Sequence, residues 1–110
     1  MPSFPGPTLN IASGAQESTE AITEEMIEHA EAIKIWAPGT LPETVNLVST
    51  NDAGSSPTYN VEQSNGEDIV IAAGKVVTVR FVGAVKYKVK ATANTAAARA
   101  FKTRIIERVP

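Results

Sequence analysis

The groups that could do chemistry are few and scattered. His29 is the single imidazole of the chain and there is no cysteine, which leaves little to hold a metal or to activate a nucleophile. The nearest acids in sequence are Glu28 and Glu31, and an imidazole in such a Glu-rich turn reads as a solvated turn residue. Serine and threonine are plentiful, but there is no Gly-x-Ser-x-Gly elbow and no base to go with one. Asn51-Asp52-Ala53-Gly54 resembles a fragment of a calcium loop without the acidic spacing of an EF-hand, so it reads as turn chemistry. Gly-rich phosphate loops are absent. The expectation is a non-enzymatic protein with no cofactor and no metal site.

What remains is chemistry of contact. Lys86, Lys88 and Lys90 recur at every second residue, which places three ammonium groups in a row on one side of a strand. Such a row is either a solvated sheet face or a face that meets an acidic partner. Lys102 and Arg104 would extend it if the last strand lay alongside. Nucleic acid is not expected here, because the aromatic in this strand, Tyr87, points away from the lysines and cannot stack beside them. Trp36 falls on the polar side of its own strand with Lys34, where it could cap the sheet edge or meet a partner, although burial in the core is the expected fate of so large a ring.

The elements that must carry these groups are strands. Glu67 to Lys90 alternates throughout: Ile69 and Ile71 share a face, Ala72-Ala73-Gly74-Lys75 turns the chain, and Val77, Val79 and Phe81 share the next face with Thr78 and Arg80 opposite. Gly83 breaks the run before Val85, Tyr87 and Val89. Earlier strands are predicted over Thr8–Ser13, Glu31–Ala37, Thr44–Thr50 and Thr58–Glu62, with Ile33 and Ile35 inward and Val45 and Leu47 opposite Asn46 and Val48. Gln16–Ala37 carries two competing periods. The β-branched and aromatic IKIW before Pro38 favours a strand there, leaving one short helical turn over residues 24–29 with Glu24 and Glu25 at its positive end. Pro38-Gly39 predicts a type II turn and Asn65-Gly66 a hairpin. The last strand, Arg99–Arg108, turns Phe101, Thr103 and Ile105 inward and Lys102 and Arg104 outward. About eight short strands with turns every eight to twelve residues point to an all-β fold, a single-domain antiparallel β-sandwich or jelly roll over residues 8–110.

Residues 1–7, with Pro2, Pro5, Gly6 and Pro7, read as an extended arm that Phe4 alone could anchor. The arm is either a frayed terminus or a segment laid on a neighbouring subunit, and in both cases the domain is expected to keep its melting temperature without it. A chain of 110 residues, 43% of them hydrophobic, suits one domain, and no apolar run is long enough to span a membrane. The first residues lack the features of a secretion signal. The formal net charge of −2 conceals an asymmetry. Six glutamates and no Lys or Arg lie within residues 1–33, whereas nine of the ten basic residues lie within 75–110. Either these segments neighbour each other in the fold, or they lie on opposite surfaces and favour head-to-tail contacts between copies.

The order IKIWAPGTLP, TVNLVSTNDAGSSPTYNV, DIVIAAGKVVTVR, a lysine-rich strand and ARAFKTRIIER resembles small virion structural proteins of tailed bacteriophages. The likeness covers most of residues 8–108; the polar turn lacks a doubled glycine often seen in such proteins, and the Pro-rich arm is not part of the pattern. The resemblance implies a β-sandwich in the virion, assembled in the bacterial host cytoplasm, that binds major capsid or neck/tail proteins and oligomerises there. Its leading form is a capsid decoration or cement protein, with a neck or tail position second. The interface candidates are Phe4, Glu24, Glu28, Trp36, Lys86, Lys88 and Lys90. A carbohydrate- or receptor-binding module is the competing class, and the scarcity of aromatic residues weighs against it; an Arg- or Lys-rich face with Trp36 exposed beside it would revive it.

Overall fold

A computed structural model describes residues 3–80 and 82–108. The architecture is all-β and sandwich-like, with every strand pair antiparallel. One sheet contains β1 (Ser3–Pro5), β2 (Leu9–Ile11), β4 (Ala30–Trp36), β9 (Val76–Arg80) and β11 (Arg99–Glu107). Its order is β1-β11-β4-β9, and β2 also pairs with β11, through the half that β1 leaves uncovered. The second sheet has the order β3-β10-β5-β6, from β3 (Ile22–Thr23), β10 (Lys86–Ala91), β5 (Val45–Thr50) and β6 (Asn60–Val61). A small hairpin joins β7 (Gln63–Ser64) to β8 (Glu67–Asp68), and the single helical turn is α1 (Glu24–Ile27).

Alternation accounts for the core. Leu9, Ile11, Ile33, Ile35, Val79, Phe101 and Ile105 face inward from the first sheet, and Ile22, Val45, Leu47, Tyr87, Val89 and Ala91 from the second. Ile27, Leu41 and Ile71 fill the space between them. Asn65 and Gly66 both take positive φ, 55° and 80°, as the two central residues of a type I′ hairpin require. Gly74 at φ 68° completes the turn after Ala72, where the Lys75 amide donates to the Ala72 carbonyl at 3.1 Å. Asp52 also takes its turn role: its carboxylate accepts from the Gly54 amide at 2.8 Å.

Several expectations need correction. The described residues form eleven strands, because short pairings such as Ile22–Thr23 and Gln63–Ser64 carry too few residues to show a period. Gly39 has no positive φ, so Pro38-Gly39 makes no type II turn; the chain crosses there from one sheet to the other. The strand expected across residues 67–71 is split, Glu67–Asp68 serving the hairpin while Ile69–Ile71 hydrogen-bonds along β5. Val48 was expected opposite the buried face of β5, yet it is only 1% exposed, since Val61 pairs beside it and closes over that side. Phe81 lies outside the described residues.

The arm is also placed differently. Ser3–Pro5 adds to the edge of β11 in its own chain, Phe4 packs against the core, and the Gly6 amide donates to the Thr103 carbonyl at 3.1 Å. Thr103, turned inward as expected, donates its hydroxyl to the Pro7 carbonyl at 2.7 Å. Proline is admissible in β1 because an edge strand has one side with no ladder to maintain.

Candidate functional site

The outer face of the five-stranded sheet gathers the most unusual surface chemistry. Ile33, Ile35, Val79, Phe101 and Ile105 point to the core, so the residues between them must point out. The registers then set Trp36 between Lys102 of β11 and Val76 of β9, and Lys34 between Arg104 and Thr78. Ala32 lies between Ile106 and Arg80. Adjacent strands are about 4.8 Å apart, so four cations, Lys34, Arg80, Lys102 and Arg104, share one face with an aromatic ring. Trp36 is 37% exposed, in place of the core burial expected of it, because Ile33 and Ile35 take the inward positions of β4 and leave Trp36 on the outer face; Val76 is 46% exposed. Arg104 donates from Nε to the Ser3 hydroxyl at 2.9 Å. Among the described residues none of the four cations has a carboxylate within ion-pair distance.

The lysine row lies on the other sheet and is differently engaged. Lys86, Lys88 and Lys90 do project to the outer side of β10, each half-buried. Lys88 meets the Glu17 carboxylate at 2.9 Å and stands 4.9 Å from the centre of the Tyr59 ring, leaving its side chain 18% exposed. Glu17 also bridges to Lys90 through the backbone, so the acidic and basic ends of the sequence are in part neighbours in the fold. Burial pushes the Tyr59 hydroxyl pKa up, against the pull of the Lys88 charge. Lys102 and Arg104 therefore do not extend this row; they belong to the opposite sheet with Trp36.

The remaining candidates disperse. Glu24 and Glu28 are exposed on and just after α1, and Phe4 is half-buried against the core rather than free to anchor a neighbour. His29 is exposed, its carbonyl accepting from the Arg108 amide. Among the described residues no three His, Cys, Asp or Glu side chains stand close enough to hold a metal ion.

Two further carboxylates are held firmly, and both act on structure. Glu43 receives both arms of Arg99, at 3.0 and 3.2 Å, and the Ala96 amide at 3.1 Å, tying the crossover before β5 to the start of β11. The Arg99 hydrogen bond holds the Glu43 carboxyl below its usual pKa, with the Ala96 amide adding to it. Glu20 is lowered likewise by the backbone and side-chain amides of Asn10.

A cleft of about 1110 Å³ opens between β9 and the segments Ser49–Asn51 and Asn60–Asn65, with the Tyr87 ring at its base. The Tyr87 hydroxyl accepts from the amides of Gly83 and Ala84 at 3.1 and 3.4 Å, which fixes the turn entering β10.

The sequence alone assigned Lys34, Trp36, Arg80, Lys102 and Arg104 to outward positions but could not show that β4, β9 and β11 are neighbours. Compared with family models, curated proteins and solved structures, the chain matches none.

Proposed function

We propose that this chain is a non-enzymatic virion structural protein, in its leading form a capsid decoration or cement protein that binds neighbouring virion subunits. The observation that carries the reading is the outer face of the five-stranded sheet, where exposed Trp36 and Val76 stand among Lys34, Arg80, Lys102 and Arg104. A rigid sheet face with an aromatic anchor and cations that have no near carboxylate among the described residues suits an acidic protein surface, the ring supplying desolvated area and the cations steering and register. Binding only the assembled shell would stabilise it by mass action, and many copies would make weak contacts effective.

Co-sedimentation with phage particles and with tailless shells tests this. Binding to tailless shells in hundreds of copies, lost in Trp36→Ala and in Lys102→Glu/Arg104→Glu, is the expected result; a few to a few dozen copies lost with the tail would move the site to the neck or tail. The same exposed Trp36 beside cations supports a second reading, a module for an acidic glycan, with the indole stacking on a sugar ring. Binding to glycans and to neither particle would replace the virion reading with that one.

A further inference from the structure

The free edge of β9 is self-complementary, and we propose that two copies pair through it into one continuous sheet. The Ala37 amide donates to the Lys75 carbonyl at 2.9 Å, and those residues continue the β4–β9 register. Hydrogen-bonded pairs alternate along an antiparallel ladder, so Val77 and Val79 direct their backbone groups to β4. Val76, Thr78 and Arg80 direct theirs to the open side. Among the described residues β9 ends its sheet and carries neither proline nor a bulge to blunt that edge.

Space and side chains agree with this pairing. The cleft beside the edge measures about 1110 Å³, whereas a five-residue strand occupies roughly 800 Å³ at ordinary strand and sheet spacings. Centring the pair on Thr78 uses all three outward-directed residues of each copy. It sets Thr78 against Thr78, Val76 against Arg80 on the outer face, and Val77 against Val79 on the inner one. Threonine pairs and β-branched pairs are favourable cross-strand neighbours. Sliding by two residues toward Arg80 leaves an outward residue unused, and a further slide sets Arg80 against Arg80. The two-fold pairing is closed and isologous, and it joins two copies of the basic face side by side. It does not depend on what that face binds.

The test uses the purified full chain alone. Light scattering across a concentration series is expected to show the mass doubling. Thr78→Pro deletes only an outward amide and leaves the β4 ladder intact, so it should remain a monomer with an unchanged far-UV spectrum. Should that variant fail to fold, Thr78→Cys decides the matter, because the chain has no other thiol. The two thiols that Thr78→Cys introduces at the two-fold fall within disulfide reach, whereas Val76→Cys would place its thiols roughly 13 Å apart along the strands. Rapid oxidation of Thr78→Cys but not Val76→Cys to a dimer supports the proposal. A parent chain that stays monomeric at every concentration, a Thr78→Pro dimer, or equal cross-linking of both cysteine variants would overturn it.

Discussion

Gly6 shows how closely one atom can be constrained. A Cβ built there would clash with the Thr103 hydroxyl oxygen, on a side chain already fixed by its bond to Pro7. Gly6→Ala is therefore expected to lift the arm from β11 and cost about 1–2 kcal/mol, from overpacking and a lost hydrogen bond, measurable by urea denaturation. Charge is constrained at Glu43 and Glu20, whose pKa values are held below the ordinary 4.5 by their donors. A depressed carboxylate stabilises the fold above the unfolded pKa and loses that contribution as the pH falls through the folded one. The melting temperature should accordingly fall on acidification below pH 4.5, and Glu43→Gln should flatten part of that fall, as a thermal-melt series from neutral to acid pH would show. The turn role of Asp52 could be read from sequence, because the acidic spacing of a calcium loop is missing around it, and its carboxylate does accept from the Gly54 amide. The Glu43–Arg99 fork could not be foreseen, since its partners are 56 positions apart and no sequence pattern links them.

The long strands were legible and the short ones were not. β10 and β11 alternate over six residues or more, so their inward faces could be assigned residue by residue; β4 does so only from Ile33 to Trp36, since Ala32 on its outward side is also buried. β5 shows where alternation fails: Val45, Asn46, Leu47 and Val48 are all buried because Val61 and the backbone of Ile69 cover its second side. A pattern of period two encodes one buried face, and it cannot report a cover supplied by residues much later in the chain. The assignment at β9 can be tested directly. Val79 is 7% exposed within the core cluster, so Val79→Asp buries an unpaired carboxylate and should destabilise the protein by roughly 3 kcal/mol in denaturant titrations. An unchanged midpoint would mean that the strand faces the other way.

Taken whole, the molecule divides its charge between two opposed sheets. The lysine row that dominates the sequence is partly spent within the fold, where Glu17 and Tyr59 occupy Lys88. The better candidate surface comes from three strands far apart in sequence, and only their order in the sheet brings Trp36 among the cations. The arm changes status too. Removing residues 1–7 takes away the β1 ladder, the Phe4 packing and both contacts to Thr103. A domain of this size shifts by roughly 5 °C per kcal/mol, so losing about 2 kcal/mol should lower the melting temperature by roughly 10 °C, in place of the unchanged melt that the sequence suggests. Differential scanning calorimetry of the truncated chain checks this.

The pairing of Ser3 with Ile106 and of Pro5 with Arg104 also sets how the molecule responds to force. The first and last strands run antiparallel as neighbours, and the outer ends of both emerge together. Tension applied across them would act on the β1–β11 hydrogen bonds one after another, as in a zipper, instead of shearing them all at once. In an optical trap the arm should peel away at low load, in a step distinct from rupture of the core. A copy held by these two ends would then work as a compliant link, and one held by its sheet face as a stiff one.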